Sequence, residues 1–189
     1  MKDKLKIRFS GRGGQGIKFL GNILVRIVMT ANYYATLTVD YTPSVRGGPI
    51  FCDVIIDTKP IKYPFCDKDA DIFFAIDQNG FERASECIYE KTLCFIDENT
   101  VANADEIIQK GKIRYVPVTK RADENKIPKS ANIVSLGFLS ELLKENGKID
   151  LKEENYDKVL NDMPKRFRAI NIQAYQLGQA LYHEIIDKS

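Results

Sequence analysis

The sequence predicts an α/β fold, a three-layer sandwich around a mostly parallel, Rossmann-like sheet with a helical C-terminal segment. Two observations carry that expectation. Short β-branched or apolar runs alternate with helical patterns over the first two thirds of the chain, as in stacked βαβ units. The strand at Asp71–Ile76 (DIFFAI) is almost continuously apolar, the signature of a parallel strand covered on both faces. The last third changes to helical periodicity throughout.

Taken in order, Lys6–Ser10 is a β-type run that stops at glycine. Ile17, Leu20, Leu24, Ile27, Val28 and Ala31 then recur at helical spacing, one apolar stripe on a helix. Ala35–Val39 is a second strand. Asp40–Pro49 (DYTPSVRGGP) is loop, since proline and glycine at that density interrupt any ladder. Ile50–Ile56 is a strand, and Pro60–Pro64 holds at most a short edge strand. Residues around Gln78–Tyr89 read as helix, Leu93–Ile96 and Ile113–Val118 as strands, and Ala104–Lys110 as a short helix between them. Lys120–Lys129 is charged and contains a proline, so it is expected to be an exposed loop. Helices follow at Ile133–Lys144, at Glu153–Leu160 and at Phe167–Ile186. The last has Phe167, Ile170, Ala174, Leu177, Leu181 and Ile185 on one side.

The length of 189 residues suits one domain spanning 1–189. A net charge of +2, spread along the chain, gives no electrostatic reason for a nucleic-acid or membrane partner. No apolar run approaches the ~18 residues that cross a bilayer, and no signal-type core precedes the first strand. The expected location is cytoplasmic. The four cysteines, Cys52, Cys66, Cys87 and Cys94, form no C-x-x-C pair and read as buried thiols in a reducing compartment.

Ser10–Gly16 reads SGRGGQG, and Gly11, Gly13 and Gly16 satisfy G-x-G-x-x-G between a strand and an amphipathic helix. Glycine lets backbone N–H groups approach a ligand closely. The start of the helix adds unpaired N–H groups and a positive dipole end that suit phosphate. Three readings stand at this point. A dinucleotide loop needs an acid about 20 positions on, and Asp40 sits slightly late for it. Alternatively the glycines only permit close strand–helix packing, in an assembly module without a ligand. The extra Gly14 and the polar Gln15 favour a third reading, something other than a standard dinucleotide fingerprint. Arg46-Gly47-Gly48 supplies a guanidinium fork and close-approaching backbone in the loop after the second strand. In a doubly wound sheet that loop would share a crevice with Gly11–Gly16.

These motifs resemble a known family. GRGGQG, an apolar helix with Gly21, and then Tyr41, Pro43, Arg46, Gly47 and Gly48 look like the γ subunit of 2-oxoacid:acceptor oxidoreductases. Asn132–Gly137 (NIVSLG) and the late Asn171, Ala174 and Gly178 match further family patterns. Where members often carry a glutamate before the valine of the R-G-G segment, this chain has Ser44.

The resemblance implies a multi-subunit enzyme that oxidatively decarboxylates a 2-oxoacid, forms an acyl-CoA and passes electrons to ferredoxin or a similar acceptor. Compact γ subunits of this kind look most like those of the 2-oxoglutarate enzymes. Thiamine diphosphate and magnesium are expected in α and β partner subunits, and iron–sulfur clusters in a ferredoxin-like partner. The cofactor-contacting candidates in this chain are Gly11, Arg12, Gly13, Gly14, Gln15, Gly16, Arg46, Gly47 and Gly48, with coenzyme A as the possible ligand. No catalytic or metal-binding residue is expected. The single histidine, His183, reads as a helix-surface residue, and no carboxylate dyad or cysteine array is evident.

Overall fold

The structure is a computed structural model that describes residues 4–41, 47–108 and 111–186. Six strands, β1 (Leu5–Arg12), β2 (Tyr34–Tyr41), β3 (Pro49–Asp57), β4 (Ile72–Ala75), β5 (Leu93–Asp97) and β6 (Lys112–Val116), form one sheet in the order β2-β3-β1-β4-β5-β6. β1, β4, β5 and β6 run parallel to one another. β3 is antiparallel to both its neighbours, which leaves β2 pointing the same way as β1. The expected βαβ opening therefore exists, but a reversed strand lies between its two strands. Sequence periodicity carries no direction, so the insertion was invisible before the structure.

The register of β3 is set from inside. Arg8 and Asp53 are directly opposite in the antiparallel pair. The guanidinium Nε donates to Asp53 Oδ1 at 2.7 Å and its Nη2 to Oδ2 at 2.9 Å. Arg8 is 3% exposed and Asp53 1%. The remaining valences are satisfied: Arg8 also donates to the carbonyls of Ala84 and Cys66, and Asp53 Oδ2 accepts the Cys66 N–H at 2.7 Å. The Phe51 ring stacks under the guanidinium at 4.2 Å. Burial opposes the Arg8 charge, but the Asp53 carboxylate and its neighbours raise the pKa overall. A one-residue slip would send every β3 side chain to the wrong face and orphan this pair.

Helices cover both faces. On one side lie α1 (Ile17–Thr30), α4 (Val118–Glu124), α5 (Ala131–Asn146), α6 (Glu153–Asn161) and α7 (Lys165–Ile186), over a core that includes Phe9, Leu24, Val54, Phe74 and Phe95. On the other lie α2 (Gln78–Ala84) and α3 (Ala104–Ile107), over Ile55, Phe73, Phe81, Cys94 and Ile96. The four cysteines are buried and unpaired.

Two expectations need correction. Lys120–Lys129 is not one loop; only residues 125–127 between α4 and a 3₁₀ turn are irregular. Val118 and Ala122, one turn apart, bury against the core and make α4, and Pro128–Ser130 is a 3₁₀ turn. Charges on the outer face of α4 hid that short apolar pair. α5 is buried nearly all round. It lies directly on the sheet, where Phe138 meets Phe74 and Phe95, and it is covered in turn by α7 through Tyr182.

α7 is also rotated from its expected orientation. Its buried face is Asn171, Ala174, Tyr175, Gly178, Leu181 and Tyr182, while Phe167 and Ile170 are exposed. The cause is a glycine crossing. A Cβ on Gly178 would overlap the Val134 carbonyl oxygen, and one on Gly137 the Tyr175 carbonyl oxygen. The two helices touch backbone to backbone there, and this contact, not the apolar stripe, sets the roll of α7. Ala174 is buried on the same face. The Ala104–Lys110 helix spans Ala104–Ile107, with residues 109–110 outside the described residues.

Candidate functional site

α1 leaves β1 on one face of the sheet and α2 leaves β4 on the other. The carboxyl ends of β1 and β4 therefore form the switch point where an open α/β sheet usually receives its ligand. Here that crevice is filled. A Cβ on Gly80, in the first turn of α2, would stand 2.5 Å from the Gly11 backbone nitrogen, so α2 seats directly on the end of β1. Gly11 is buried. Gln15 turns inward beneath the loop: its Oε1 accepts the Arg12 N–H at 2.7 Å and its Nε2 donates to the Ile76 carbonyl at 3.2 Å.

The loop's own N–H groups are largely engaged. Arg12 donates to Gln15, Gly13 to the Gly48 carbonyl at 2.9 Å, and Gln15 to the Arg12 carbonyl at 3.0 Å. The Gly13–Gly48 bond joins the glycine loop to the end of the R-G-G segment, as expected for loops that share one edge. Gly47 backbone lies 3.2 Å from where a Gly13 Cβ would be. Arg46 itself lies outside the described residues, as do Thr42, Pro43 and Ser44.

What remains open faces outward. Gly14 has φ 96, a left-handed conformation, and no atom lies within 4 Å of the place a Cβ would occupy. A groove of about 450 Å³ is lined by Arg12, Gly14, Gly16, Lys18, Phe19 and Ile50, among others. α1 starts at Gly16 without a side-chain cap and without an acid in its first turn. Its positive end is therefore left to a ligand, solvent or partner. Lys18 adds a charge, and Phe19, 47% exposed, adds an apolar wall. Arg12 is held only loosely: its Nε lies 3.8 Å from Asp77 Oδ2.

Asn132, in the first turn of α5, does two jobs: its Oδ1 accepts the Ile133 N–H at 3.0 Å, and its Nδ2 donates to the Gly16 carbonyl at 3.3 Å and ties α5 to the start of α1. Asp40 does not approach the glycine loop. Its carboxylate binds Arg83 at 2.6 Å, and β3 separates its strand from β1. The geometry of a dinucleotide site is therefore missing on two counts, a filled crevice and a displaced acid. Asp77 and Gly80 escaped the sequence reading. Asp77 caps α2, its Oδ1 accepting the Gly80 N–H at 3.2 Å. An aspartate directly after an apolar strand and before a helical run was the available signal.

Among the described residues, no group of three or more His, Cys, Asp or Glu could hold a metal ion, and no helix is long and apolar enough to cross a membrane. Burial pushes the thiols of Cys87 and Cys94 up to about 12. His183 lies 3.6 Å from Glu141 on the surface of α7.

Fold and site together define an α/β unit whose glycine loop is closed toward the sheet and open toward its surroundings. The chain belongs to the pyruvate ferredoxin/flavodoxin oxidoreductase family, which it matches over residues 6–181. It is 33% identical to the 2-oxoglutarate synthase subunit KorC of Methanocaldococcus jannaschii, over 98% of this chain and 97% of that one. It is 26% identical to the pyruvate/ketoisovalerate oxidoreductases common subunit gamma of Thermococcus kodakarensis, over 80% of this chain and 91% of that one.

Among solved structures, the 2-oxoglutarate:ferredoxin oxidoreductase of Magnetococcus marinus, with 2-oxoglutarate, coenzyme A and succinyl-CoA bound, is similar with a TM-score of 0.84 at 25% identity. The match covers 97% of this chain and 32% of that one. The keto/oxoacid ferredoxin oxidoreductase gamma subunit of Geobacter sulfurreducens shares the fold, with a TM-score of 0.77 at 24% identity over 96% of this chain and 98% of that one. The resemblance carried by GRGGQG and the R-G-G segment is borne out.

Proposed function

We propose that this chain is the γ subunit of a 2-oxoglutarate:ferredoxin-type oxidoreductase and that its outward groove forms one wall of the coenzyme A site. The observation that carries the reading is the groove itself. An uncapped helix start, Arg12 and Lys18 converge on open space beside Gly14, next to Gly47 and Gly48. That donor set fits a phosphate-bearing ligand, because each group supplies N–H donors or positive charge without a competing acid in the first turn. The Phe19 and Ile50 walls fit the less polar stretch of such a ligand.

Arg46 would add a second guanidinium from the adjoining segment. In the assembled enzyme, thiamine diphosphate with its magnesium would sit between α and β partner subunits and supply the decarboxylation chemistry. An iron–sulfur partner would carry the electrons to ferredoxin. The γ chain binds and orients; among the described residues, the groove lining holds no acid–base pair. The cytoplasm is the matching compartment, where buried free thiols persist.

The test uses the complex purified from its native host by a tag on this chain. The reading expects thiamine-diphosphate and iron–sulfur subunits to co-purify, and coenzyme A-dependent oxidation of 2-oxoglutarate. Arg12→Ala combined with Lys18→Ala is expected to raise the KM for coenzyme A by roughly tenfold, with kcat nearly unchanged. An unaltered KM would remove the ligand role from the groove.

A further inference from the structure

Gln15 stands in the crevice that an open α/β sheet normally leaves for its ligand. It is the residue through which the glycine loop is fastened to β4. Its amide bridges two strands' ends: one end accepts from the Arg12 N–H at the end of β1, and the other donates to the Ile76 carbonyl just beyond β4. The Gln15 N–H closes a tight turn onto the Arg12 carbonyl at 3.0 Å. The side chain fits because residue 11 is glycine. A Cβ there would lie 2.8 Å from Gln15 Oε1 and 2.7 Å from Ile17 Cδ1. From below, Gly80 presses α2 onto the same backbone.

We propose that Gln15 is a positioning residue. Its side-chain amide takes the place of a bound ligand in the switch-point crevice and locks the Arg12–Gly16 loop in the one shape that turns Gly14 and Arg12 outward. The case is one of matched valences. The primary amide offers an acceptor to one backbone group and a donor to the other. Glutamate keeps the acceptor and loses the donor. Methionine keeps the length and loses both. The inference rests on the proposed groove for its functional consequence but not for its physical content.

Hydrogen exchange of the Arg12 amide, measured on the complex at constant pH, tests the clamp. Gln15→Met should speed exchange at Arg12 by roughly five- to tenfold, the effect of losing one intramolecular hydrogen bond. Gln15→Glu should also exchange faster than wild type at Arg12, because the donor is lost and a carboxylate oxygen now faces the Ile76 carbonyl. The KM for coenzyme A, read on the same samples, should rise several-fold in Gln15→Met with kcat within about twofold of wild type.

Wild-type exchange at Arg12 in either Gln15→Met or Gln15→Glu overturns the proposal. Faster exchange at Arg12 with an unchanged KM supports the clamp and overturns the coenzyme A reading of the groove instead. Methionine fills the same volume, so the fold is retained. Should that variant fail to assemble, Gln15→Glu alone decides, because wild-type protection of Arg12 in it would show that the bridge to Ile76 locks nothing.

Discussion

Glycine does two opposite jobs in this molecule, and the contrast between the α5–α7 crossing and the Gly11–Gly16 loop shows what each requires. At the crossing, Gly137 and Gly178 are present because a side chain would overlap backbone of the facing helix. The space is closed, and nothing but packing is at stake. In the loop, a Cβ on Gly11 would meet the side chains of Gln15 and Ile17, whereas nothing lies within 4 Å of one on Gly14, which is demanded only by its φ of 96. The first kind of glycine holds the fold together. The second leaves a surface bare. A sequence motif writes both kinds with the same letter.

That contrast can be broken experimentally. Gly178→Ala or Gly137→Ala should have the largest effect, about 3–5 kcal/mol of destabilisation, because backbone would have to part. Denaturant midpoints at unchanged slope would measure it. Asp53→Asn, which leaves Arg8 buried beside a neutral partner, should cost about 3 kcal/mol or more, by the same measurement. A cost below about 1 kcal/mol would mean that the pair does not hold the register of β3.

Gly14→Ala should cost only about 1 kcal/mol, the penalty of a left-handed backbone, since no atom is in the way. Its effect should instead appear in coenzyme A binding by the complex. If Gly14→Ala proved as damaging to stability as Gly178→Ala, the distinction between the two regions would fail. The smallest effect concerns the thiols. Cys87 and Cys94 ionise at about 12 in the folded chain, above their ordinary value of 9.0. Their contribution to stability is therefore complete below about pH 8.5 and declines as the pH rises toward 12, because the unfolded thiols lose protons first. Alkylation by iodoacetamide at pH 8 should label none of the four cysteines until the chain is denatured.

Much of the fold was legible because it depends on local pattern. The apolar run of β4, the stripe of α1 and the β-branched β2 each announced themselves. The reversed direction of β3 was not, since a strand reads the same from either end. Its buried Arg8–Asp53 pair looked like two ordinary charges at alternate positions. The roll of α7 was misread because Phe167 and Ile170 extended the stripe, while the deciding residue, Gly178, carries no hydrophobic signal at all. In the site, the glycine spacing identified the loop and its place after β1. It did not reveal that Gln15 faces inward, because the side-chain direction of a loop residue depends on a neighbour, Ile76, more than sixty positions away.

The hairpin of β2 and β3 is local, with Tyr41 opposite Ile50, whereas β1 pairs with β3 across some forty-five positions. Loop-closure entropy favours the hairpin first and the docking of β1 later. The contact between Gly13 and Gly48 is then a seam that closes only when β1 docks on β3, after the hairpin has formed. A chain caught before that step would have its hairpin and yet no groove, because Arg12 and Gly14 on one wall and Ile50 on the other come together only across that seam.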